Sequence, residues 1–251
     1  MIAAEVLEGI ARRYQTSLFP NVTREYFQHL FLSELYKLPM SEQIMFKGGT
    51  ALRIVYGSPR FSEDLDFSLF KVPAHGVKKF VEDQFIQVLA AISQAGINVE
   101  LGERSEKTSG GYFGTATFRM LDDQPVGVEI NISDRNGREV KGEVETIAGD
   151  FISSYPLIHL PQHDLVEEKI FGALRSRKKP RDYFDLYFMM RKGMLASDQK
   201  QRLAGVKEEI ITEANAIDFR GELGTFLPAD HQPIIRDFVR ALDAEINRQV
   251  S

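Results

Sequence analysis

The chain has 251 residues, 43% hydrophobic and 10% aromatic, which supplies enough apolar surface for a buried core and excludes a disordered protein. It has no cysteine, so disulfides, thiolate metal sites and cysteine nucleophiles are excluded together, as fits a reducing cytoplasm. A formal net charge of −5 argues against a protein that coats nucleic acid with its whole surface, although a local basic patch stays compatible with RNA binding.

Every apolar run is too short to span a bilayer, and the acidic start Met-Ile-Ala-Ala-Glu-Val-Leu-Glu lacks the basic residues of a signal peptide, so a cytoplasmic location with no membrane partner is expected. Residues 2 to about 18 read as a helix stopped near Pro20. Thr23 then opens a second amphipathic helix carrying Tyr26, Phe27, Leu30, Phe31 and Leu35. Both read as packing helices, and His29 on the second reads as structural.

The stretch from Ile44 to Phe70 departs most from an ordinary globular sequence. The apolar run Ile44 to Phe46 is short enough for a strand, and it breaks at Gly48-Gly49 into Thr50 to Tyr56, which has helical spacing. A strand feeding a helix through two glycines leaves free backbone N–H groups at a helix start, with Thr50 as the cap, and such a turn can hold an anion. Asp64-Leu-Asp-Phe-Ser-Leu-Phe70 then alternates strictly, so Leu65, Phe67 and Leu69 share one face and Asp64, Asp66 and Ser68 the other. Two carboxylates so close repel unless a cation lies between them, and carboxylate oxygens together with substrate phosphates are what Mg2+ (or Mn2+) takes. A phosphate cradle followed by metal carboxylates suggests an enzyme acting on a nucleoside triphosphate.

Gly76 to Ala95 has the spacing of a core-facing helix with a charged outer side. Four strand-like runs follow at Ile97–Leu101, Tyr112–Phe118, Val126–Ile132 and Glu143–Ile147, and their closeness predicts antiparallel pairing. Ser105 to Gly111 reads as a mobile hairpin loop. Within 126–132, Val126, Val128, Ile130 and Ile132 form one face and Gly127, Glu129 and Asn131 the other, so Glu129 is either a third metal carboxylate or a solvent-facing residue.

From Asp164 the pattern is helical only. Asp164 to Ser176 has an Asp cap and apolar Leu165, Ile170, Phe171 and Leu174, with Glu168 and Lys169 at its middle. A basic cluster of Arg175, Arg177, Lys178, Lys179 and Arg181 surrounds Pro180; it is either a solvated turn or a seat for a nucleic-acid acceptor. In the next helix, 181–190, Asp182 and Asp185 share a face, and Asp182 is also placed to cap it. Tyr183, Phe184, Tyr187, Phe188, Met189 and Met190 read as core. Residues 196 to 251 read as two or three helices broken at Phe226-Leu-Pro, with no evident chemistry.

Gly48-Gly49-Thr50, then Arg60-x-Ser62-x-Asp64-Leu65-Asp66-Phe67, resembles the first motif of the AbiEii/AbiGii (MenT-like) nucleotidyltransferase toxins, within the DNA polymerase β-like superfamily. That family's signature continues as a Glu-Lys pair on a helix, a basic turn and Arg-Asp-x-x-Asp-Leu, matched by Glu168-Lys169 and Arg181 to Leu186. The resemblance implies that Lys169 contacts the nucleotide phosphates, that Asp185 is required for activity, and that a neighbouring strand contributes a further carboxylate, which favours Glu129. Gly48, Gly49, Thr50, Lys169 and Arg181 would then hold the nucleotide, and Asp64, Asp66 and Glu129 the metal. The alternative for the downstream set is a group of salt bridges fixing two helices.

The fold expected is α+β: a small mixed or antiparallel nucleotidyltransferase sheet with N-terminal helices in residues 1–150, and a C-terminal helical region in 151–251. The function implied is transfer of a nucleoside monophosphate from an NTP to an RNA acceptor, the 3′ end of a tRNA, by the toxin of a type IV toxin–antitoxin pair with a separately encoded antitoxin. The alternatives are a small-molecule nucleotidyltransferase of the antibiotic-modifying kind, which needs no basic acceptor patch, a sugar-nucleotide glycosyltransferase, and a nucleotide- or RNA-binding module without turnover.

Overall fold

A computed structural model of the chain describes residues 2–102, 111–119, 124–135 and 139–250. Two compact units emerge: Met1–Gly57 with Phe61–Leu160, and Ser58–Arg60 with Pro161–Ser251. Among the described residues no helix is long and apolar enough to cross a membrane.

The first unit is built on strands β1 (Ile44–Lys47), β2 (Asp64–Leu69), β3 (Asn98–Gly102), β4 (Gly111–Arg119), β5 (Val126–Asp134), β6 (Glu143–Ile147) and β7 (Tyr155–His159). They form one mixed sheet in the order β3-β4-β5-β2-β1-β7-β6, with β2/β5 and β1/β7 parallel and the other neighbours antiparallel. The period-2 pattern sets the register. Phe46, Phe67, Ile132 and Tyr112 line up across four strands on one face, and Lys47, Asp66, Asn131 and Phe113 line up on the other.

The apolar face is covered by helices α2 (Thr23–Leu35) and α4 (Val77–Gln94). Phe27 of α2 stacks on Phe118 of β4 with ring centres 4.5 Å apart, and Phe85 of α4 meets Phe31 at 5.2 Å and Tyr112 at 5.7 Å. Because α2 is buried on most sides, its polar side chains need partners. Glu25 pairs with Arg53, Gln28 donates to the carbonyls of Ser62 and Glu63, and the His29 ring nitrogen meets the Tyr155 hydroxyl at 2.8 Å. Burial depresses the His29 imidazole to about 4, helped by the nearby Arg53 charge, so it is neutral and structural as expected.

Helix α1 (Ala4–Arg13) is shorter than the sequence suggests: Gln15 takes φ 48°, and the Thr16 N–H returns to the Ala11 carbonyl. The three runs around β3, β4 and β5 pair antiparallel as expected, but β6 pairs with β7, a strand the sequence reading passes over. Pro156 disguises it, since proline cannot donate to a ladder. The proline is accommodated because β7 meets β1 only at Phe46–His159. With β7 in the sheet, the first unit runs to Leu160. The hairpin loop expected at 105–111 lies almost wholly outside the described residues.

The second unit is helical. Its first helix runs from α5 (Gln162–Glu167) through a wider π-helical segment, Glu168–Leu174, into the short α6 (Arg175–Arg177). Helices α7 (Pro180–Arg191), α8 (Ser197–Ala214), α9 (Arg220–Phe226) and α10 (Phe238–Val250) follow. Leu165, Ile170 and Leu174 are buried as expected, with Tyr183, Phe184, Met189 and Met190, whereas Tyr187 and Phe188 are only half-buried. Phe238 gathers Phe219 at 4.7 Å and Phe184 at 6.1 Å.

Candidate active site

Strand β1 turns directly into helix α3 (Gly48–Ile54) through Gly48, which has φ +86°. A Cβ on Gly48 would lie 2.8 Å from the Cβ of Asp66 and closer still to its Oδ2. Glycine is therefore required twice here, for the left-handed backbone and for the approach of the aspartate. The cap position belongs to Lys47 rather than Thr50. Thr50 lies inside the first turn, fully buried, and its hydroxyl donates to the backbone carbonyl of Asp64, tying α3 to the strand that carries the aspartates. At the other end of α3, Arg53 makes a two-pronged pair with the buried Glu25 of α2 at 2.8 and 3.1 Å. Burial raises the Glu25 carboxyl and the Arg53 charge opposes that rise.

On β2 the alternation is realised. Leu65, Phe67 and Leu69 are fully buried, while Asp64 and Asp66 are half-buried on the opposite face. The Asn131 amide donates to Asp66 Oδ1 at 3.3 Å, and Lys47 stands in register with Asp66 from the other side, its ammonium 3.5 Å from Ser133 Oγ. Glu129 is exposed and stands in register with Asp64. Helix α2 fixes the approach to the strand: Gln28 holds the carbonyls of Ser62 and Glu63, and Arg24 bonds the Gly127 carbonyl and pairs with Glu63 at 3.3 Å.

The donor chemistry of this face is hard oxygen, with no cysteine in the chain, which suits Mg2+ or Mn2+ rather than a thiophilic ion. Among the described residues no three His, Cys, Asp or Glu side chains form a ready-made metal cluster. Mg2+ commonly takes one or two protein carboxylates and completes its shell from substrate phosphates and water, and a pair of aspartates fits that habit.

In the second unit, the Asp185 carboxylate of α7 is fully buried between two cations. Its Oδ1 accepts from Arg60 Nε and Nη2 at 3.0 and 2.8 Å, and its Oδ2 accepts from Lys169 Nζ at 2.7 Å and Arg60 Nη2 at 3.1 Å. Burial alone would raise this carboxyl, but the Arg60 and Lys169 charges outweigh it and hold it below the ordinary aspartate value. So enclosed, the Asp185 carboxylate holds Lys169 in place. Arg60 was visible in the opening motif without a role; its role is this fork.

Asp182 caps α7, accepting the Lys179 N–H at 3.3 Å and a 2.6 Å bond from Arg177. Arg181 pairs with Glu222 at 3.3 Å. In the basic cluster, Arg175 pairs with Glu209, Arg177 with Asp182 and Lys178 with Glu213, and among the described residues Lys179 alone of these four has no ion pair.

Three variants test these contacts through stability in urea. Gly48→Ala is expected to cost about 2 kcal/mol or more, because it adds backbone strain to the collision with Asp66. Gly57→Ala, at φ +78° but with nothing within 4 Å of the added carbon, should cost only about 1 kcal/mol. Asp185→Asn should cost about 3–5 kcal/mol at neutral pH by leaving two buried cations uncompensated. Because the folded value is depressed, the native advantage is full above the unfolded value of about 4 and fades as pH falls through the lower folded value, so the two proteins should converge only in that acid range.

The family model described as nucleotidyl transferase AbiEii toxin, type IV TA system, matches residues 30–248. A crystal structure of an H. pylori protein described as a candidate nucleotidyltransferase shares the fold at TM-score 0.64 and 19% identity, over 92% of this chain and 95% of that one. JHP933 from Helicobacter pylori does so at TM-score 0.64 and 20% identity, over 94% of this chain and 93% of that one. At those identities the two structures establish the fold alone, and no curated protein matches. The family match spans the glycine turn and paired aspartates together with the downstream Lys169 and Asp185, and the chain belongs to the AbiEii nucleotidyltransferase toxin family of type IV toxin–antitoxin systems.

Proposed function

We propose that the protein moves a nucleoside monophosphate from an NTP to a hydroxyl of an RNA acceptor, the 3′ end of a tRNA, with release of pyrophosphate, and that it acts in the cytoplasm as a toxin restrained by a separate antitoxin. Membership of the family supports the transfer chemistry and the toxin role. The observation that carries the site assignment is the seating of Asp66 against Gly48, with Asp64 two positions away on the same strand face.

In this reading Asp64 and Asp66 hold the metal-bound triphosphate, with Asn131 fixing the rotamer of Asp66. A magnesium ion seated there would neutralise the triphosphate and stabilise the entering and leaving oxygens of the in-line displacement. The backbone of Gly48 and Gly49 lies along the phosphates, and Thr50 contributes by holding α3 to β2. Lys169 uses one of its three donors on Asp185, which together with Arg60 positions it, and the family resemblance assigns its remaining donors to the nucleotide phosphates. One of the β2 carboxylates takes the proton of the acceptor hydroxyl as its oxygen attacks the α-phosphorus, and pyrophosphate leaves.

The pairing of Arg175, Arg177 and Lys178 with carboxylates of their own unit favours a second reading, transfer to a small-molecule acceptor, which needs no free basic patch. Incubating the protein with Mg2+, each α-labelled NTP and total tRNA, beside Asp66→Ala, separates the two. Label is expected on tRNA with the native protein and reduced at least 100-fold with the variant. Label appearing only on small molecules would support the second reading, and bound but untransferred nucleotide would support a binding module.

A further inference from the structure

Among the described residues, the polar face of the sheet carries one side chain that its neighbours do not explain. Along β4, Gly114, Ala116 and Phe118 turn to the helix-covered core, and Tyr112 on the same side packs on Phe85. The alternate positions Phe113, Thr115 and Thr117 therefore lie on the face that bears Asp64, Asp66, Glu129 and Asn131. Threonines suit such a face; a half-buried phenylalanine does not, and an aromatic displayed among carboxylates and amides is the kind of departure from pattern that marks a contact surface.

Its position is set by register. Phe113 stands opposite Asn131, Asn131 stands opposite Asp66 and bonds its carboxylate at 3.3 Å, and Lys47 completes the row. With neighbouring strands about 4.8 Å apart, Phe113 lies two strand spacings, about 10 Å, from Asp66 along the sheet. A nucleoside monophosphate reaches over the same order of length from α-phosphate to base.

We propose that Phe113 is the platform on which the base of the incoming nucleotide stacks. This rests on the assignment of Asp64 and Asp66 to the triphosphate. The row then has a division of labour: Asp66 at the phosphate end, Asn131 beneath the sugar while it orients Asp66, and the Phe113 ring against the base. Stacking uses the π-face that every base has, so Phe113 contributes affinity for any nucleotide and little discrimination among them.

The test measures binding without turnover. The native full-length chain is titrated with α,β-methylene NTPs and Mg2+ by calorimetry, beside Phe113→Ala, Phe113→Leu and Phe113→Tyr, with thermal unfolding as the control for folding. Phe113→Ala should weaken nucleotide binding roughly tenfold and raise the NTP KM by a similar factor, with kcat at saturation nearly unchanged. Phe113→Tyr should restore affinity and Phe113→Leu should not, because leucine keeps apolar bulk without a π-face. Restoration by leucine would assign Phe113 to packing and overturn the proposal, as would affinity unchanged in all three variants. Weaker binding of tRNA with unaltered nucleotide affinity would overturn it too, placing the ring under an acceptor base. Failure of this proposal would leave the assignment of Asp64 and Asp66 standing, because that assignment is tested separately by Asp66→Ala.

Discussion

The arrangement depends on one close approach, that of the Asp66 side chain to the α-carbon of Gly48. An antiparallel pair brings residues of neighbouring strands opposite one another, but here β1 ends at Lys47 and the chain folds into a helix at the next residue, so the carboxylate lies directly over the turn. A side chain at position 48 would have to displace Asp66. The remaining contacts of the first unit serve that juxtaposition: Thr50 ties the helix to the Asp64 carbonyl, Arg53 and Glu25 hold the helix to α2, and Gln28 holds the two residues that lead into β2. Glu25 and Gln28, polar groups buried in α2, are thus given partners that position α3 and the approach to β2.

The second unit follows the same logic with charge. Asp185 is a carboxylate without access to solvent, and only its two cations make that tolerable. The arginine fork takes both oxygens and leaves one lone-pair direction for Lys169, so the lysine is held in a single orientation near the start of a π-helical segment. Such segments commonly occur where a side chain must be re-aimed for function. Arg60 belongs to the three-residue segment Ser58–Arg60 of the second unit and stands four positions before Asp64 in the chain, so an arginine that looks like part of the aspartate motif serves the buried Asp185.

Much of this was legible in the sequence, and for physical reasons. Strict alternation from Asp64 to Leu69 and from Val126 to Ile132 dictated both faces of the central strands, and helical spacing placed α2, α4 and α7. Three things could not be read. Strand β7 is five residues long and contains a proline, so its pairing depends on partners distant in sequence. Thr50 resembles a cap in any strand-to-helix turn, and only the path of β2 reveals that its hydroxyl is needed elsewhere. The basic residues 175–178 read as an open patch because their carboxylate partners, Glu209 and Glu213, lie a helix away, while Asp182 was counted for another role. Opposite charges brought together by tertiary structure are invisible to a count of local charge.

The central claim is that Asp64 and Asp66 form the seat of a metal-bound triphosphate, and the most direct measurement is a crystal structure of the full chain with Mn2+ and a non-transferable NTP, using the anomalous signal of manganese. The account predicts manganese coordinated by oxygens of Asp64 and Asp66 and by the phosphates. Nucleotide seated elsewhere, or manganese bound with neither aspartate as a ligand, would contradict it.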